Sequence, residues 1–148
     1  MDKLPYILIA EDNADHFELI REALKEGGFP VEYVWVRDGE ELLQHLSQGR
    51  LPNLILLDLN LPRKDGREVL RIIKRTVRLR CIPIIVLTTS GSPQDVSLAY
   101  ELGANAFMRK PPGFAALTDL MKSWAVFWLR CVELPPYNED PSSGERLN

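Results

Sequence analysis

The chain has 148 residues, of which 45% are hydrophobic and 26% are charged, and its formal net charge is -3. These values are typical of one globular domain with a full core, and they give no general attraction to nucleic acid or to anionic membranes. No apolar run is long enough to span a bilayer or form a secretory segment, and Cys81 and Cys131 match no zinc or disulfide pattern, so we expect a cytoplasmic protein.

Short apolar runs alternate with helical periodicity along the first half of the chain. Tyr6–Ala10 predicts a buried strand that leads directly into Glu11-Asp12, and a first helix follows it. Val31–Val36 is rich in β-branched and aromatic residues and predicts a second strand, followed by a second helix. Leu54–Leu57 is too short for a typical helix and too apolar for a surface strand. It predicts a strand buried on both faces that stops at Asp58.

The second half of the chain continues the alternation. A third helix begins beyond Gly66, and Ile84–Leu87 predicts a fourth buried strand that ends at Thr88. A helix at about Pro93–Leu102, a short strand at Ala106–Met108 and a last helix at about Phe114–Leu129 complete the predicted elements.

Alternating strands and helices predict the fold class. Five strands and five helices in alternation favour an α/β fold, a doubly wound parallel sheet with right-handed crossovers and helices on both faces. We assign residues 5–131 to this domain and residues 132–148 to a carboxyl-terminal extension. From about residue 135 onward Pro, Ser, Gly, Glu and Asp dominate, which predicts a mobile tail.

Four of the predicted strands end in polar residues. Glu11 and Asp12 follow the first strand, Asp58 the third, Thr88 the fourth and Lys110 the fifth. In a sheet with strand order 2-1-3-4-5, the first and third strands flank the switch point, so the three carboxylates should converge there.

The chemistry of this set favours a metal and a phosphoryl group. Crowded carboxylates raise each other's pKa unless a cation neutralises them, and oxygen ligands without His or Cys favour Mg²⁺. Lys110 and Thr88 supply a charge and a hydroxyl suited to phosphoryl oxygens. Each residue alone has a simpler explanation, such as helix capping for Glu11-Asp12 or a solvated loop for Lys110. Those explanations fail together, because independent accidents should not all fall at strand ends.

These residues resemble the receiver domain of two-component response regulators, a flavodoxin-like fold. The motifs that carry the resemblance are Glu11-Asp12, Asp58 to Pro62, Asp65-Gly66, Thr88 and Lys110-Pro111. The resemblance covers roughly residues 5 to 130 and implies a signalling relay rather than a turnover enzyme, with only self-phosphorylation and slow self-dephosphorylation.

The resemblance also implies a role for each site residue. Asp58 is the phosphoacceptor, and the Mg²⁺ ligands are Asp12 directly, Glu11 through water, Asp58, and Asn60 through its carbonyl. Thr88 and Lys110 contact the phosphoryl group, Thr88 and the aromatic Phe107 form the switch, and Pro111 follows a cis peptide bond.

A narrower resemblance concerns the partner and the output. Phe127-Trp128-Leu129 and Val132 to Pro135 look like the ending of small receivers paired with bacterial and cyanobacterial phytochromes, which implies a light-regulated histidine kinase as phosphodonor. Roughly twenty residues remain after the receiver, too few for an output domain, and no basic recognition helix is present. We therefore expect output through protein contacts, with no binding to nucleic acid.

The last helix suggests a dimer. Its large apolar residues spread over more of the circumference than packing on one sheet face requires, although core packing plus cover from the tail is an alternative. We expect a homodimer through the fourth helix, fifth strand and last helix. The predicted dimer face consists of Leu117, Leu120, Met121, Trp124, Phe127 and Trp128.

A kinase-docking surface is expected on the first helix near Ala14, His16 and Phe17, if Phe17 is exposed; a buried Phe17 would be core.

Three other functions stay open at this point. A haloacid-dehalogenase-type phosphatase also uses a strand-end aspartate, but it requires a second Asp where this chain has Asn60. A flavodoxin-like or Rossmann nucleotide binder requires a phosphate-binding loop where this chain has Glu11-Asp12-Asn13. A receiver-like adaptor that is never phosphorylated would keep the fold without the chemistry.

Overall fold

Five β-strands and five α-helices alternate along residues 4–136, the part of the chain that this computed structural model describes. The strands are β1 (Tyr6–Ala10), β2 (Glu32–Val36), β3 (Leu54–Leu57), β4 (Ile84–Thr88) and β5 (Ala106–Arg109). The helices are α1 (Ala14–Glu26), α2 (Gly39–Leu46), α3 (Gly66–Arg75), α4 (Pro93–Glu101) and α5 (Phe114–Ala125). A π-helical segment, Val126–Cys131, continues α5. None of the helices between residues 4 and 136 combines the length and apolar character needed to cross a membrane.

The five strands form one parallel sheet in the order β2-β1-β3-β4-β5, which confirms the predicted strand order and fold class. Ala10 lies opposite Leu57, and Leu57 lies opposite Val86, so the three central strands finish at nearly the same level. Every residue of β1, β3 and β4 is buried because helices cover both faces of the sheet. The strand β2 lies at the edge, and its first two residues are exposed.

Two apolar layers, one on each face of the sheet, form the core. The layer under α1 and α5 includes Phe17, Ile20, Leu24, Leu117, Met121 and Trp124. The layer under α2, α3 and α4 includes Leu42, Leu46, Val69, Leu70, Ile73 and Ala99. In β3, Leu54 and Leu56 point into the first layer while Ile55 and Leu57 point into the second. This alternation explains why four consecutive aliphatic residues are needed in that strand.

Half of the predicted dimer face belongs to the core. The buried members are Leu117, Met121 and Trp124, with 2%, 1% and 3% exposure. Leu120 and Trp128 are partly buried against the same layer, while Phe127 is 55% exposed. The apolar arc of α5 is wide because α5 packs on α1 as well as on the sheet. The prediction of an exposed face is therefore wrong for the three buried residues.

Phe17 is also a core residue, so the prediction that it helps to form an exposed docking surface is wrong. Its side chain is 6% exposed and stacks on Trp35, with ring centroids 4.1 Å apart and planes within 3° of parallel. Phe17 shares the inward face of α1 with Ile20 and Leu24, so the helical period directs its ring to the sheet.

The Lys110-Pro111 peptide bond is trans, like every other peptide bond in residues 4–136. The prediction of a cis bond before Pro111 is therefore wrong. The trans form is the favoured state of an X-Pro bond. In this chain the turn into α5 uses Gly113, whose φ of 91° lies in the left-handed region that glycine adopts without a steric penalty.

The segment after the π-helical turn returns to the domain. Leu134 packs against the core layer of α1 and α5, and Asn53 Nδ2 donates a hydrogen bond to the carbonyl of Pro135 at 2.9 Å. The tail predicted to be mobile from about residue 135 therefore begins with a residue that contacts the domain. The rest of that tail, residues 137–148, lies outside the described residues.

Gly66 opens α3 at a point where the backbone of the β3–α3 connection comes very close. A Cβ atom at this position would lie 2.5 Å from the carbonyl oxygen of Asp58 and 2.6 Å from Cα of Leu59. The N–H of Gly66 donates to the carbonyl of Leu59 at 2.9 Å, and Asp65 caps the helix through the N–H of Arg67. The absence of a side chain at residue 66 thus fixes the approach of α3 to the end of β3.

Replacing Gly66 with Ala should lower the free energy of unfolding by about 1–3 kcal/mol, because the added methyl group forces the backbone around Asp58 to move. Urea denaturation measures the change. The matched control is Glu68→Ala on the same helix, a half-exposed position whose replacement should change stability by no more than about 0.5 kcal/mol. Equal stability of the two variants would contradict the close backbone approach.

Candidate active site

Four strand ends position the predicted site residues at the carboxyl edge of the sheet. The strand-type backbone hydrogen bonds continue one residue past the ends of β1, β3 and β5. Asp58 N–H donates to the carbonyl of Ala10 at 3.0 Å, and Lys110 N–H donates to the carbonyl of Thr88 at 2.8 Å. The N–H of Glu11 donates to the carbonyl of Val36 at 3.0 Å. These bonds hold the backbones of Glu11, Asp58 and Lys110 in register, so their side chains meet at one place.

The ammonium group of Lys110 lies at the centre of this place. Its Nζ is 2.8 Å from Glu11 Oε1 and 2.8 Å from Asp58 Oδ2. The same Nζ is 2.9 Å from Nδ1 of His16 in the first turn of α1. An ammonium has three hydrogens, and the three contacts account for all of them. The Lys110 side chain is 3% exposed, so it is held almost entirely by protein groups.

Both carboxylate oxygens of Asp58 have hydrogen-bond partners. Oδ2 accepts from Lys110, and Oδ1 accepts from the backbone N–H of Asn60 at 3.0 Å. The side-chain amide of Asn60 extends the network, with Nδ2 lying 3.3 Å from Thr88 Oγ1 and 3.2 Å from Ser90 Oγ. Asp58, Asn60 and Thr88 therefore form a connected group, with Asp58 on one side of it and the exposed amide of Asn60 on the other.

The site carries more negative than positive charge. Glu11 and Asp58 are 2% and 6% exposed, and Lys110 is the cation that both carboxylates contact. The pKa of Glu11 is raised from its ordinary 4.5 to about 7, first by burial and then by the carboxylate of Asp58. Lys110 and the N–H of Asn13 act in the opposite direction without compensating for these effects. A second cation would remove this imbalance.

The residues present fit a divalent ion that keeps part of its water shell. In residues 4–136 no group of three or more His, Cys, Asp or Glu side chains is arranged to hold a metal ion by itself, so the expected crowding of three carboxylates is not found there. Glu11 has both oxygens engaged, by Lys110 and by Asn13 N–H, while Asp12 is exposed. Oxygen donors beside an uncompensated charge match Mg²⁺, which prefers few protein ligands and several waters.

The structure brings together Glu11, Asp58, Thr88 and Lys110, and Asn60 contacts Asp58 and Thr88. Asp12 is exposed beside Glu11. Phe107 is half-buried in β5 and packs against the core layer of α2, α3 and α4.

Three contacts around the site were not predicted from the sequence. His16 bonds to Lys110, the N–H of Asn13 donates to Glu11 Oε2 at 3.0 Å, and Trp35 Nε1 donates to the carbonyl of Glu11 at 2.8 Å. The position of His16 in the first turn of α1, four residues after Asp12, was a usable signal for proximity to the strand ends. Nothing in the sequence pattern indicated the contacts of Asn13 and Trp35 with Glu11.

Comparison with known proteins places this geometry in a family. The model of the family described as the response regulator receiver domain matches residues 7–122. The probable methanogenesis regulatory protein FilR2 of Methanothrix harundinacea is 44% identical over 128 residues, which cover 83% of this chain and 83% of FilR2. Response regulator Rcp1 of Synechocystis is 42% identical over 135 residues, which cover 87% of this chain and 92% of Rcp1.

Solved structures give the same result. The crystal structure of the Mn(2+)-bound form of Rcp1 has a TM-score of 0.86 and 41% identity, covering 89% of this chain and 99% of that one. The phosphorylated cyanobacterial phytochrome response regulator RcpA also has a TM-score of 0.86, with 40% identity and coverage of 90% and 100%. Relatives of this chain have thus been seen both with a divalent ion and in a phosphorylated state.

The raised pKa of Glu11 gives a pH prediction for the metal-free protein. Because its pKa of about 7 in the folded state lies above its ordinary 4.5, the folded state binds the proton more tightly than the unfolded state. The stabilisation is complete below pH 4.5 and is lost as the pH rises through about 7. In EDTA, the difference in unfolding free energy between wild type and Glu11→Gln should therefore shift against wild type across this range. Urea titrations at a series of pH values measure this difference, and a constant difference would contradict the raised pKa.

Proposed function

Because this chain belongs to the response regulator receiver family, we propose that it accepts a phosphoryl group on Asp58 from a histidine kinase and signals through protein contacts. The single observation that carries the proposal is the Asp58 carboxylate, nearly buried at the end of β3 and hydrogen-bonded to the ammonium of Lys110. We propose residues 5–131 as the receiver unit and residues 132–148 as its extension. We also propose a cytoplasmic protein, in which the exposed Cys81 and Cys131 stay reduced.

In the proposed reaction an oxygen of Asp58 attacks the phosphorus of a phosphohistidine. The new P–O bond forms as the P–N bond breaks, and the electron pair of that bond stays on the imidazole nitrogen of the donor. Lys110 neutralises one charge of the phosphoryl group, and the hydroxyl of Thr88 donates to another phosphoryl oxygen. The protein thus contributes mainly position and charge, which is what phosphoryl transfer requires.

Mg²⁺ is the proposed cofactor. Asp12, Asp58 and the backbone carbonyl of Asn60 would hold it, and Glu11 would act through water because its two oxygens are already engaged. When bound, the ion supplies positive charge beside the transferred group. The excess negative charge around Glu11 and Asp58 supports this assignment.

Thr88 and Phe107 are the proposed switch. In the unphosphorylated site, Thr88 Oγ1 accepts a hydrogen bond from Asn60 Nδ2 at 3.3 Å. A phosphoryl group on Asp58 would compete for the Thr88 hydroxyl and draw it toward the site. The space that Thr88 leaves would then be open to the half-buried ring of Phe107, which is three residues before Lys110. This movement would carry the signal to the surface of α4 and β5.

The proposed phosphodonor is a phytochrome-type histidine kinase. The support is similarity along most of the chain to a phytochrome response regulator, RcpA, together with a bacteriophytochrome response regulator, RtBRR, at 36% identity. The similarity to FilR2, a probable methanogenesis regulator, is of the same order. The proposal rests on three solved relatives, RcpA, RtBRR and AtBRR, that are phytochrome or bacteriophytochrome response regulators.

A homodimer through α4, β5 and the end of α5 is the proposed assembly. The exposed apolar residues on α4 and on the π-helical segment that continues α5 support it, namely Leu98, Tyr100, Val126 and Phe127. Phe127 stacks edge-on against Trp128, with ring centroids 5.6 Å apart, so an apolar pair lies at the end of the predicted face. Residues already buried in the monomer do not contribute.

Incubation with Mg²⁺ and acetyl phosphate tests the phosphoacceptor. Wild type should gain one phosphoryl group by intact mass and Asp58→Asn should gain none, because the amide is not a nucleophile. Asp119→Asn is the matched control, since Asp119 is an exposed aspartate on α5. Phosphorylation of Asp58→Asn, or no phosphorylation of wild type with Mg²⁺ present, would contradict the assignment.

Replacing Phe127 with Asp should weaken self-association at least tenfold, because a charge in an apolar contact is desolvated without a partner. Sedimentation velocity over a concentration series, with and without phosphodonor, measures the dissociation constant. Val77→Asp is the control, because Val77 is 61% exposed but lies outside the proposed face. A wild-type chain that stays monomeric at high concentration in both states would exclude the dimer.

A further inference from the structure

His16 occupies the third hydrogen-bonding position of Lys110. Two of the three ammonium hydrogens go to Glu11 Oε1 and Asp58 Oδ2, each at 2.8 Å, and Nδ1 of His16 lies 2.9 Å from the same nitrogen. Because a lysine ammonium only donates, the imidazole nitrogen must accept. His16 is therefore neutral here, with its proton on Nε2.

The backbone around His16 is fixed to the same site. Asn13 caps α1, and its Oδ1 accepts from the N–H of Asp15 at 2.8 Å and from the N–H of His16 at 3.1 Å. The N–H of Asn13 in turn donates to Glu11 Oε2 at 3.0 Å. Glu11, Asn13, His16 and Lys110 thus form a closed ring of hydrogen bonds and backbone. The helix cap therefore fixes the backbone of His16, and this limits where its imidazole ring can lie.

The surroundings of His16 favour the neutral ring. Burial lowers the pKa of His16, and the ammonium of Lys110 lowers it further, while Asp58 and Asp15 act in the opposite direction. A protonated ring would place a second cation against Lys110 in place of the hydrogen bond. The neutral ring that the surroundings favour is therefore the form that the hydrogen bond from Lys110 requires.

Lys110 and His16 lie together at the wall of a pocket beside the site. A cavity of about 280 Å³ lies beside the site and is lined by His16, Thr89, Lys110, Pro111, Pro112 and Phe114, among others. His16 and Lys110 both line this cavity, so the contact between them lies at its wall. Without His16, the third N–H of the nearly buried ammonium would lose its acceptor, which is unfavourable for a buried donor.

We propose that His16 is a positioning residue for Lys110: it holds the ammonium over Asp58 and thereby sets the rate at which Asp58 is phosphorylated. The effect on rate rests on the proposed function, whereas the effect on Lys110 does not. A misplaced charge near the transferred group slows the reaction because catalysis depends on position. Loss of one hydrogen bond to a charged group corresponds to a rate change of about tenfold.

Two variants distinguish the loss of the hydrogen-bond acceptor from the loss of the imidazole ring. In His16→Asn, the amide oxygen lies the same number of bonds from Cα as Nδ1, so it can accept from Lys110. In His16→Leu, a side chain of similar size has no acceptor. Denaturation by urea verifies that both variants fold.

The first measurement observes Lys110 directly. Nitrogen-15 NMR detects lysine ammonium groups whose hydrogens exchange slowly, and the signal of Lys110 is assigned by its loss in Lys110→Arg. Wild type and His16→Asn should give this signal, and His16→Leu should lose it through fast exchange. An unchanged signal in folded His16→Leu, or no signal in wild type, would overturn the proposal.

The second measurement is the phosphorylation rate with Mg²⁺ and phosphoramidate. We expect His16→Leu to react about tenfold more slowly than wild type and His16→Asn to remain within about twofold. Equal rates for all three proteins would overturn the role of His16 in the reaction even if the NMR signal changed. If wild type is not phosphorylated at all, the proposed function fails, and the NMR result alone still decides whether His16 holds Lys110.

Discussion

The contact of one ammonium with two buried carboxylates is the interaction on which the site depends. Removing Glu11 and Asp58 from water is unfavourable unless a cation compensates, and Lys110 lies 2.8 Å from each of them. The three side chains come from three different strands, so the contact exists only if those strands end at the same level. The parallel register provides this: hydrogen bonds between Asp58 and Ala10 and between Lys110 and Thr88 extend the sheet by one residue.

Lys110 compensates the negative charge of Glu11 and Asp58 only in part, and this suits a protein that receives a phosphoryl group. Burial, and then the neighbouring carboxylate of Asp58, leave the pKa of Glu11 raised to about 7 despite the contact with Lys110. A site without excess negative charge would attract a divalent ion only weakly. A site without Lys110 would repel an incoming phosphoryl group. The observed balance suits both ligands, at some cost to the stability of the metal-free fold. Functional sites often lower the stability of the protein that carries them.

Much of this arrangement follows from the sequence because it depends on short-range patterns. The aliphatic run Leu54–Leu57 favours a strand with two buried faces, and Asp58 directly after it is then expected at the carboxyl edge of the sheet. The sequence does not show which way a side chain points when two structural elements could pack against it. The apolar arc of α5 looked too wide for one sheet face because α1 is a second partner, which accounts for buried Met121 and Trp124. The trans bond before Pro111 differs from the expectation because that expectation came from the family resemblance and not from a feature of the local sequence.

The two ends of the strands carry different kinds of polar group. At the carboxyl edge, Lys110, Glu11 and Asp58 form a charged group with capacity for ligands. At the amino edge, Asn53 Oδ1 accepts from Tyr6 N–H at 2.8 Å while its Nδ2 donates to the carbonyl of Pro135 at 2.9 Å. This neutral amide ties the starts of β1 and β3 to the segment that follows α5, and its bonds are satisfied within the protein. Asn53 thus fixes the starts of β1 and β3, the two strands that lead to Glu11 and Asp58 at the opposite edge.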